Sequence, residues 1–200
     1  MFDVNPVTSE KPFDCGPTCL KMLFDYYGNE VPLDQLIKEC GVTLAGSTAA
    51  DLMRVGRLHG LDMQCYSMDA EELIRQDRPA IVHWKFGHWI VFAGTDEAGR
   101  VSICNPDMGR YRMSAETFKT YFTGLESHPG QGVAIFNGDP RDLQPTAPDN
   151  IAAGTIFEVG GTTWRALAAI ARGERVVEGV NAERVSVAEV LTDLEARGQE

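Results

Sequence analysis

Apolar residues in the first 137 positions follow two spacings, and each spacing indicates a different kind of element. Apolar positions three and four apart are typical of helices, whereas alternation and short apolar runs are typical of strands. The helical spacing predicts helices over residues 15–27, 33–40, 47–59, 71–75 and 114–121. The strand patterns predict strands over residues 61–65, 80–84, 88–93, 101–104, 111–113 and 132–136. Because helices precede what reads as an antiparallel meander, the expected fold class is α+β, with helices packed on an antiparallel sheet.

After this region, turn residues and prolines replace the periodic pattern. We interpret residues 1–138 as one domain and residues 139–153 as a linker. In residues 154–200, two apolar runs flank a Gly-Gly pair, which predicts a β-hairpin, and a short helix is expected over 187–194. This hairpin-plus-helix appendage is too small for a stable core of its own. We therefore expect it to dock on the main domain, on a second copy of the chain or on a partner.

The net charge restricts the expected partners, and the N-terminal and apolar segments restrict the expected location. The formal net charge is −11 and the pI is about 4.8. Nucleic-acid-binding proteins carry a basic surface, so neither nucleic acid nor an anionic membrane is expected as a partner. Residues 1–11 lack the basic start and apolar stretch of a signal peptide. The longest apolar stretch, residues 79–94, is interrupted by polar residues and is too short to span a bilayer. The expected location is the cytoplasm.

The chain has five cysteines, an odd number. Without a secretion signal, such a count indicates reduced thiols. Cys15 and Cys19 lie on one predicted helix face, and a redox or zinc protein that uses them is one hypothesis. The sequence contains no C-x-x-C pair to support a zinc site, and no metal or organic cofactor is expected.

Residues 14–20, DCGPTCL, are the segment that most strongly indicates chemistry. Asp14 is a favoured N-cap residue and Pro17 fits the first turn of a helix, so the pattern puts Cys15 at a helix start. The helix dipole favours a thiolate there, and cysteines in such positions have pKa values of roughly 3.5–7.5 instead of about 8.5. Cys15 is therefore a candidate nucleophile. The alternative is a buried structural cysteine.

A nucleophilic cysteine needs a base and a group that orients the base. His88 is the best candidate base, because it opens a predicted strand and can reach across a cleft to a helix start. Asn105 follows the next strand, and in a hairpin it would lie near the start of the His88 strand. Its side-chain carbonyl could then accept a hydrogen bond from the imidazole. The alternatives are a plain turn at Asn105 and, for His83, stacking on an aromatic residue in the core.

The segments around these three residues resemble the C39 peptidases, papain-like domains that cut double-glycine leader peptides. The matching segments are residues 14–28, 46–48, 78–84, 87–91 and 105–109. The resemblance extends over about residues 5–137 in unbroken order. It implies a papain-like cysteine peptidase fold, a bacterial protein, a peptide or protein substrate, and a Cys-His-Asn triad of Cys15, His88 and Asn105.

Two positions depart from the family pattern. The family has a glutamine six residues before the cysteine as an oxyanion donor, whereas this chain has Ser9, whose hydroxyl is shorter. Loss of one such donor costs about 10²–10³ in rate, and the backbone N–H of Cys15 would remain as the second donor. The family usually has aspartate where this chain has Asn105. Papain-like enzymes use asparagine in this role, and Asp107 is the alternative third member.

Residues 154–200 resemble, more weakly, short modules of tailed-phage structural proteins, which would imply a virion-associated protein. Two functions follow from these observations. The first is a cysteine peptidase or related thiol acyl-transfer hydrolase that acts on a peptide or amide bond. The second is a catalytically weakened or inactive papain-fold module that binds peptides or serves as a phage virion structural or attachment protein. In the second case, residues 154–200 would bind a phage structural protein or mediate self-association.

Overall fold

The computed structural model describes residues 1–139 apart from 12, 44–45, 85–86 and 123–129, and the backbone of four strands between residues 156 and 186. The helices are α1 (Cys15–Tyr26), α2 (Leu33–Glu39), α3 (Ala49–Leu58), α4 (Ala70–Ile74) and α5 (Ala115–Phe122). The strands of the first 139 residues are β1 (Met63–Met68), β2 (Ala80–Trp84), β3 (His88–Thr95), β4 (Val101–Asn105), β5 (Gly109–Met113) and β6 (Gly132–Asn137). Each element overlaps the range predicted for it.

Helix α1 ends where a glycine was expected to stop it. Gly28 has a φ of 78°, and its N–H donates to the carbonyl of Asp25. The N–H of Asn29 donates to the carbonyl of Phe24 at 2.8 Å. These two bonds form a Schellman motif, which satisfies the last carbonyls of the helix.

The helix starts correct two details of the sequence analysis. Helix α3 begins at Ala49 and not at residue 47, because Thr48 is its N-cap and forms a reciprocal capping box with Asp51. The N-cap of α1 is Asp14, as predicted, but its side chain makes no capping hydrogen bond. Instead its backbone carbonyl accepts from the Thr18 N–H at 2.9 Å.

The six strands form one antiparallel sheet in the order β1-β6-β2-β3-β4-β5. Strands β2 to β5 form the predicted meander. The last strand, β6, lies between β1 and β2, a place that a meander order does not predict. Its residues 132–136 are all buried, since the strand has a neighbour on each side and is covered on both faces.

The register brings the candidate residues to one end of the sheet. Trp84 pairs with His88 at the start of β3, and Val91 pairs with Cys104 near the end of β4. Alternation along the strands then puts His88 and Asn105 on the same face of two adjacent strands. The β-meander thereby juxtaposes residues that lie seventeen positions apart in the chain.

The sheet has a hydrophobic core on each face. Helices α1 to α3 contribute to one core, which includes Leu20, Leu52, Trp89 and Val91. Helices α4 and α5 contribute to the other, which includes Phe118. Because both faces are covered, β3 reads as an almost continuous apolar run and not as an alternating one. None of the helices among the described residues has the length and apolar character needed to cross a membrane.

The appendage contains a second antiparallel sheet with strands β7 (Ile156–Val159), β8 (Thr162–Leu167), β9 (Val176–Gly179) and β10 (Arg184–Ser186). The predicted hairpin is present, since Val159 pairs with Thr162 across the Gly-Gly pair. Strands β9 and β10 were not predicted. The expected helix over 187–194, and the expected linker beyond residue 139, lie outside the described residues. The docking role of the appendage stays a prediction.

Candidate active site

Cys15 is the first residue of α1, a helix of 12 residues. The first backbone N–H groups of a helix have no acceptor within it, and the helix dipole adds positive partial charge there. The residue is buried, with 1% of its surface exposed. Two positions earlier, Phe13 has a φ of 75°, a left-handed conformation that is strained for a bulky residue. The chain therefore enters the helix through a sharp turn.

Helix α1 packs tightly against its neighbours at Gly16. A Cβ atom there would lie 2.1 Å from Ser47 Oγ and 3.3 Å from Trp89 Cδ1. The indole N–H of Trp89 donates to the Ser47 carbonyl at 3.0 Å. Because Gly16 follows Cys15 and Trp89 follows His88, this packing brings the start of α1 beside the start of β3.

The N-terminal segment links the helix start to the turn after β4. The N–H of Ser9 donates to the Pro106 carbonyl at 2.8 Å, and Ser9 Oγ lies 3.3 Å from Thr18 Oγ1. Pro106 follows Asn105, and Thr18 lies one helical turn after Cys15. Ser9 thus lies between the two halves of the candidate site.

His88 and Asn105 are hydrogen-bonded, with 3.0 Å between His88 Nε2 and Asn105 Oδ1. The same oxygen accepts from the backbone N–H of Asp107 at 2.9 Å, and Asn105 Nδ2 lies 3.4 Å from Tyr111 Oη. A backbone N–H can only donate, so the atom facing it is the amide oxygen. The imidazole nitrogen on that oxygen must then be the donor. The proton of the neutral ring therefore lies on Nε2, and Nδ1 carries the lone pair.

Asp107 is the second polar neighbour of the imidazole. Its Oδ2 lies 3.7 Å from His88 Nε2, and 27% of its side chain is exposed. His88 and Asn105 are more deeply buried, with 7% and 3% exposed. Both residues that the sequence offered as the third member therefore lie near the same ring nitrogen: Asn105 is hydrogen-bonded to it, and a carboxylate oxygen of Asp107 lies 3.7 Å from it.

The sheet-side candidates predicted from the sequence thus lie together, and Ser9 joins them to the helix that carries Cys15. Sequence reasoning missed Thr18 and Tyr111. The strand pattern offered a signal for Tyr111. Tyr111 pairs with Ile103, which lies two residues before Asn105 in β4, so alternation puts Tyr111 and Asn105 on the same face of the sheet. The sequence contained no signal for the contact between Ser9 and Thr18, since this contact joins two segments that only the fold brings together.

Three of the other four thiols have raised pKa values. All five cysteines are free and buried. Burial, followed by the nearby Cys15, raises the pKa of Cys19 well above its usual value. Burial also raises the pKa of Cys104 and raises that of Cys40 to about 12. These three thiols stay protonated at neutral pH. His83 packs edge-on against Trp89, with 4.9 Å between the ring centroids, which is the core role that the sequence analysis gave as its alternative.

No group of three or more His, Cys, Asp or Glu side chains among the described residues is arranged to hold a metal ion. The groups at this site are a thiol, an imidazole, an amide and a carboxylate, with backbone and hydroxyl donors beside them.

Residues 3–126 match the Peptidase C39 family. The chain belongs to this family. The match contains every candidate site residue from Ser9 to Asp107. It confirms the resemblance that the segments around Cys15 and His88 indicated.

Relatives of this chain include secretion and processing proteins. The probable microcin-H47 secretion/processing ATP-binding protein MchF of Escherichia coli is 29% identical over 119 residues, which cover 58% of this chain and 17% of MchF. The lactococcin-G-processing and transport ATP-binding protein LagD of Lactococcus lactis is 25% identical over 122 residues, 58% of this chain and 17% of LagD. The chain therefore spans about a sixth of the length of these relatives.

Solved structures match over a larger share. A double glycine motif protease from the AMS/PCAT transporter, crystallised with the leader peptide, aligns with a TM-score of 0.60 and 29% identity over 66% of this chain and 89% of that one. The peptidase domain of Streptococcus ComA aligns with a TM-score of 0.56 and 25% identity over 66% of this chain and 96% of that one. These matches confirm the papain-like fold of helices on an antiparallel sheet. They give no support to the phage resemblance of residues 154–200, which stays a prediction.

Proposed function

We propose that this chain is a cysteine peptidase in which Cys15 attacks the carbonyl carbon of a peptide bond. His88 takes the thiol proton on Nδ1 and returns it to the leaving amine, so the amine departs and an acyl-enzyme thioester remains. Water then releases the acyl group. Asn105 is a positioning residue that holds the imidazole in the tautomer this transfer requires.

The observation that carries this proposal is the 3.0 Å contact between His88 Nε2 and Asn105 Oδ1. With the proton held on Nε2, the opposite nitrogen is the one able to accept the thiol proton. The packing of Gly16 against Trp89 places the start of α1 next to the start of β3, the strand that begins at His88.

Two donors are proposed for the oxyanion of the tetrahedral intermediate. The first is the backbone N–H of Cys15, at the start of α1. The second is the hydroxyl of Ser9, directly or through a water, with Thr18 Oγ1 3.3 Å behind it. A hydroxyl that accepts a hydrogen bond from a second hydroxyl becomes a better donor, because hydrogen-bond chains are cooperative. This arrangement stands where the family has a glutamine amide.

The proposed substrates are peptides with a Gly-Gly pair before the scissile bond. This follows from the related double glycine motif protease, which was crystallised with a leader peptide. We expect cleavage of a leader-like peptide after Gly-Gly and no cleavage of the same peptide with Ala-Ala at these positions. Mass spectrometry of the products measures both. Equal cleavage of the two peptides would contradict the glycine requirement.

Alkylation by iodoacetamide from pH 5 to pH 9 tests the nucleophile. The wild-type chain is expected to react quickly at pH 6, and peptide mapping is expected to find the label on Cys15. Cys15→Ser should abolish this fast phase and His88→Ala should slow it. A matched control is His59→Ala, which changes a histidine paired with Glu39 at the α2–α3 ends. A thiol that reacts only above pH 8, whatever residue stands at position 88, would overturn the proposal.

The second candidate is a papain-fold module that binds peptides without cutting them. It is favoured by Ser9, which replaces the family's oxyanion glutamine, and by the burial of Cys15. In this case a Gly-Gly peptide would bind with similar affinity to the wild-type chain and to Cys15→Ser, and neither would cleave it. Calorimetry together with product analysis separates the two candidates.

A further inference from the structure

We propose that Asp107 supplies the negative charge that stabilises the protonated His88. The role of the third residue of the catalytic triad is then divided between two residues: Asn105 orients the ring and Asp107 balances its charge. This inference rests on the proposed function. It gives Asp107 a positioning and electrostatic role and does not make it an alternative to Asn105.

The division follows from what each group can do. The Asn105 amide accepts the Nε2–H hydrogen bond at 3.0 Å, but it is neutral and adds no net charge. The Asp107 carboxylate lies 3.7 Å from the same nitrogen. That distance is too long for a hydrogen bond, yet it is within the range in which an opposite charge favours the ionised form of a group.

The turn holds the carboxylate in this place. The backbone N–H of Asp107 donates to Asn105 Oδ1 at 2.9 Å, and the Met108 N–H donates to the Asn105 carbonyl. Asn105 therefore organises the turn as well as the ring. The Asp107 side chain keeps 27% of its surface exposed, whereas His88 is largely buried.

The charge matters at one step. When the proton moves from Cys15 Sγ to His88 Nδ1, a thiolate and an imidazolium form from two neutral groups, and no proton is gained or lost overall. A carboxylate on the far side of the ring lowers the free energy of the charged pair. Within the described residues, the titratable and charged groups on α1 with its N-cap, on β2, and on β4 and β5 with the turn between them are Asp14, Cys15, Cys19, Lys21, Asp25, Tyr26, His83, Cys104, Asp107, Arg110, Tyr111 and Arg112.

The test measures the rate of Cys15 alkylation by iodoacetamide from pH 5 to pH 9 in the full chain. For Asp107→Asn we expect a rate about tenfold lower at pH 6, little change at pH 9, and a profile shifted to higher pH, as expected when an opposite charge within 4–6 Å is removed. Adding Asn105→Asp to this variant returns a carboxylate to the ring, so the double variant should recover the rate at pH 6.

Glu97→Gln is the matched control, because it removes one negative charge from an exposed residue beyond the far end of β3. Its profile should equal that of the wild type. Superimposable profiles for Asp107→Asn and the wild type would overturn this inference alone, as would the same slowing in Glu97→Gln. A wild-type Cys15 without fast alkylation at pH 6 would overturn the proposed function and this inference together. Circular dichroism checks that each variant is folded.

Discussion

The helix side and the sheet side of the candidate site are held in place by different interactions. On the helix side, close backbone packing positions Cys15. Helix α1 packs against Ser47 and Trp89 at Gly16, where there is no room for a Cβ atom. On the sheet side, hydrogen bonds between side chains orient His88. Packing at this distance tolerates no added atom. A polar contact tolerates a change of residue as long as donor and acceptor remain.

This difference separates two kinds of failure. Changes on the helix side should be seen first as a loss of stability, because the contact there is part of a hydrophobic core. Changes on the sheet side should be seen first as a loss of chemistry, because the fold of the meander does not depend on the imidazole. The predictions below test this separation.

The largest effect is expected on the sheet side, from His88→Ala. Removing a general acid–base group lowers kcat/KM by about 10²–10⁴, and peptide cleavage measures this loss. The midpoint of urea unfolding should change little. The control is His59→Ala, which is studied by the same two methods. Its peptide-cleavage activity should equal that of the wild type. A fall in the unfolding midpoint of His88→Ala that is large enough to explain its lost activity would contradict this prediction. It would show that changes on both sides act through stability.

Ser9→Gln tests the segment that joins the two sides. An amide at this position would restore the oxyanion donor of the family, and one such donor is worth about 10²–10³ in rate, so the expected result is a higher kcat. Thr8→Gln, at the exposed neighbouring residue, is the control and should leave kcat unchanged. An unchanged or lower kcat in Ser9→Gln would count against the proposed oxyanion site.

On the helix side, Gly16→Ala should destabilise the chain by about 1–3 kcal/mol, the usual cost of overpacking. The clash is with Ser47 Oγ, 2.1 Å from the new Cβ. Ser47→Ala should therefore recover part of the loss when combined with Gly16→Ala, while costing little by itself. Urea unfolding of the two single variants and the double variant measures this coupling. Additive effects in the double variant would show that the close approach lies elsewhere.

The smallest effect is expected from Thr48→Ala, which removes the N-cap of the helix that follows Ser47. Loss of an N-cap costs about 1 kcal/mol, whereas Thr48→Ser keeps the hydroxyl that accepts from the Asp51 N–H and should be close to the wild type. Thermal unfolding compares the two. If both variants lose the same stability, the capping hydrogen bond is not what stabilises this end of α3.

Elements whose limits depend on neighbouring residues were predicted well. Helix α1 ends at Tyr26, two residues before Gly28, which adopts a positive φ, and Asp69 caps α4 by accepting from the Glu72 N–H. The placement of β6 between β1 and β2 was not predicted. The apolar run in Gly132–Asn137 is typical of a buried strand, but no local pattern tells which two strands it pairs with, because pairing depends on the whole sheet.

The candidate site also has some features that local sequence predicts and others that only the whole fold decides. Short-range physical chemistry in the sequence, namely the capping preference of Asp14 and a proline in the first helical turn, was enough to locate Cys15 at a helix start. The hairpin argument was enough to bring Asn105 to His88. What only the folded chain decided is which atoms meet: that Asn105 accepts from two donors at once, that Asp107 lies within charge contact of the same nitrogen, and that Ser9 reaches Thr18. Such contacts depend on strand register and on packing between distant segments, whose free energies are shared among many residues and leave no pattern in any one stretch of sequence.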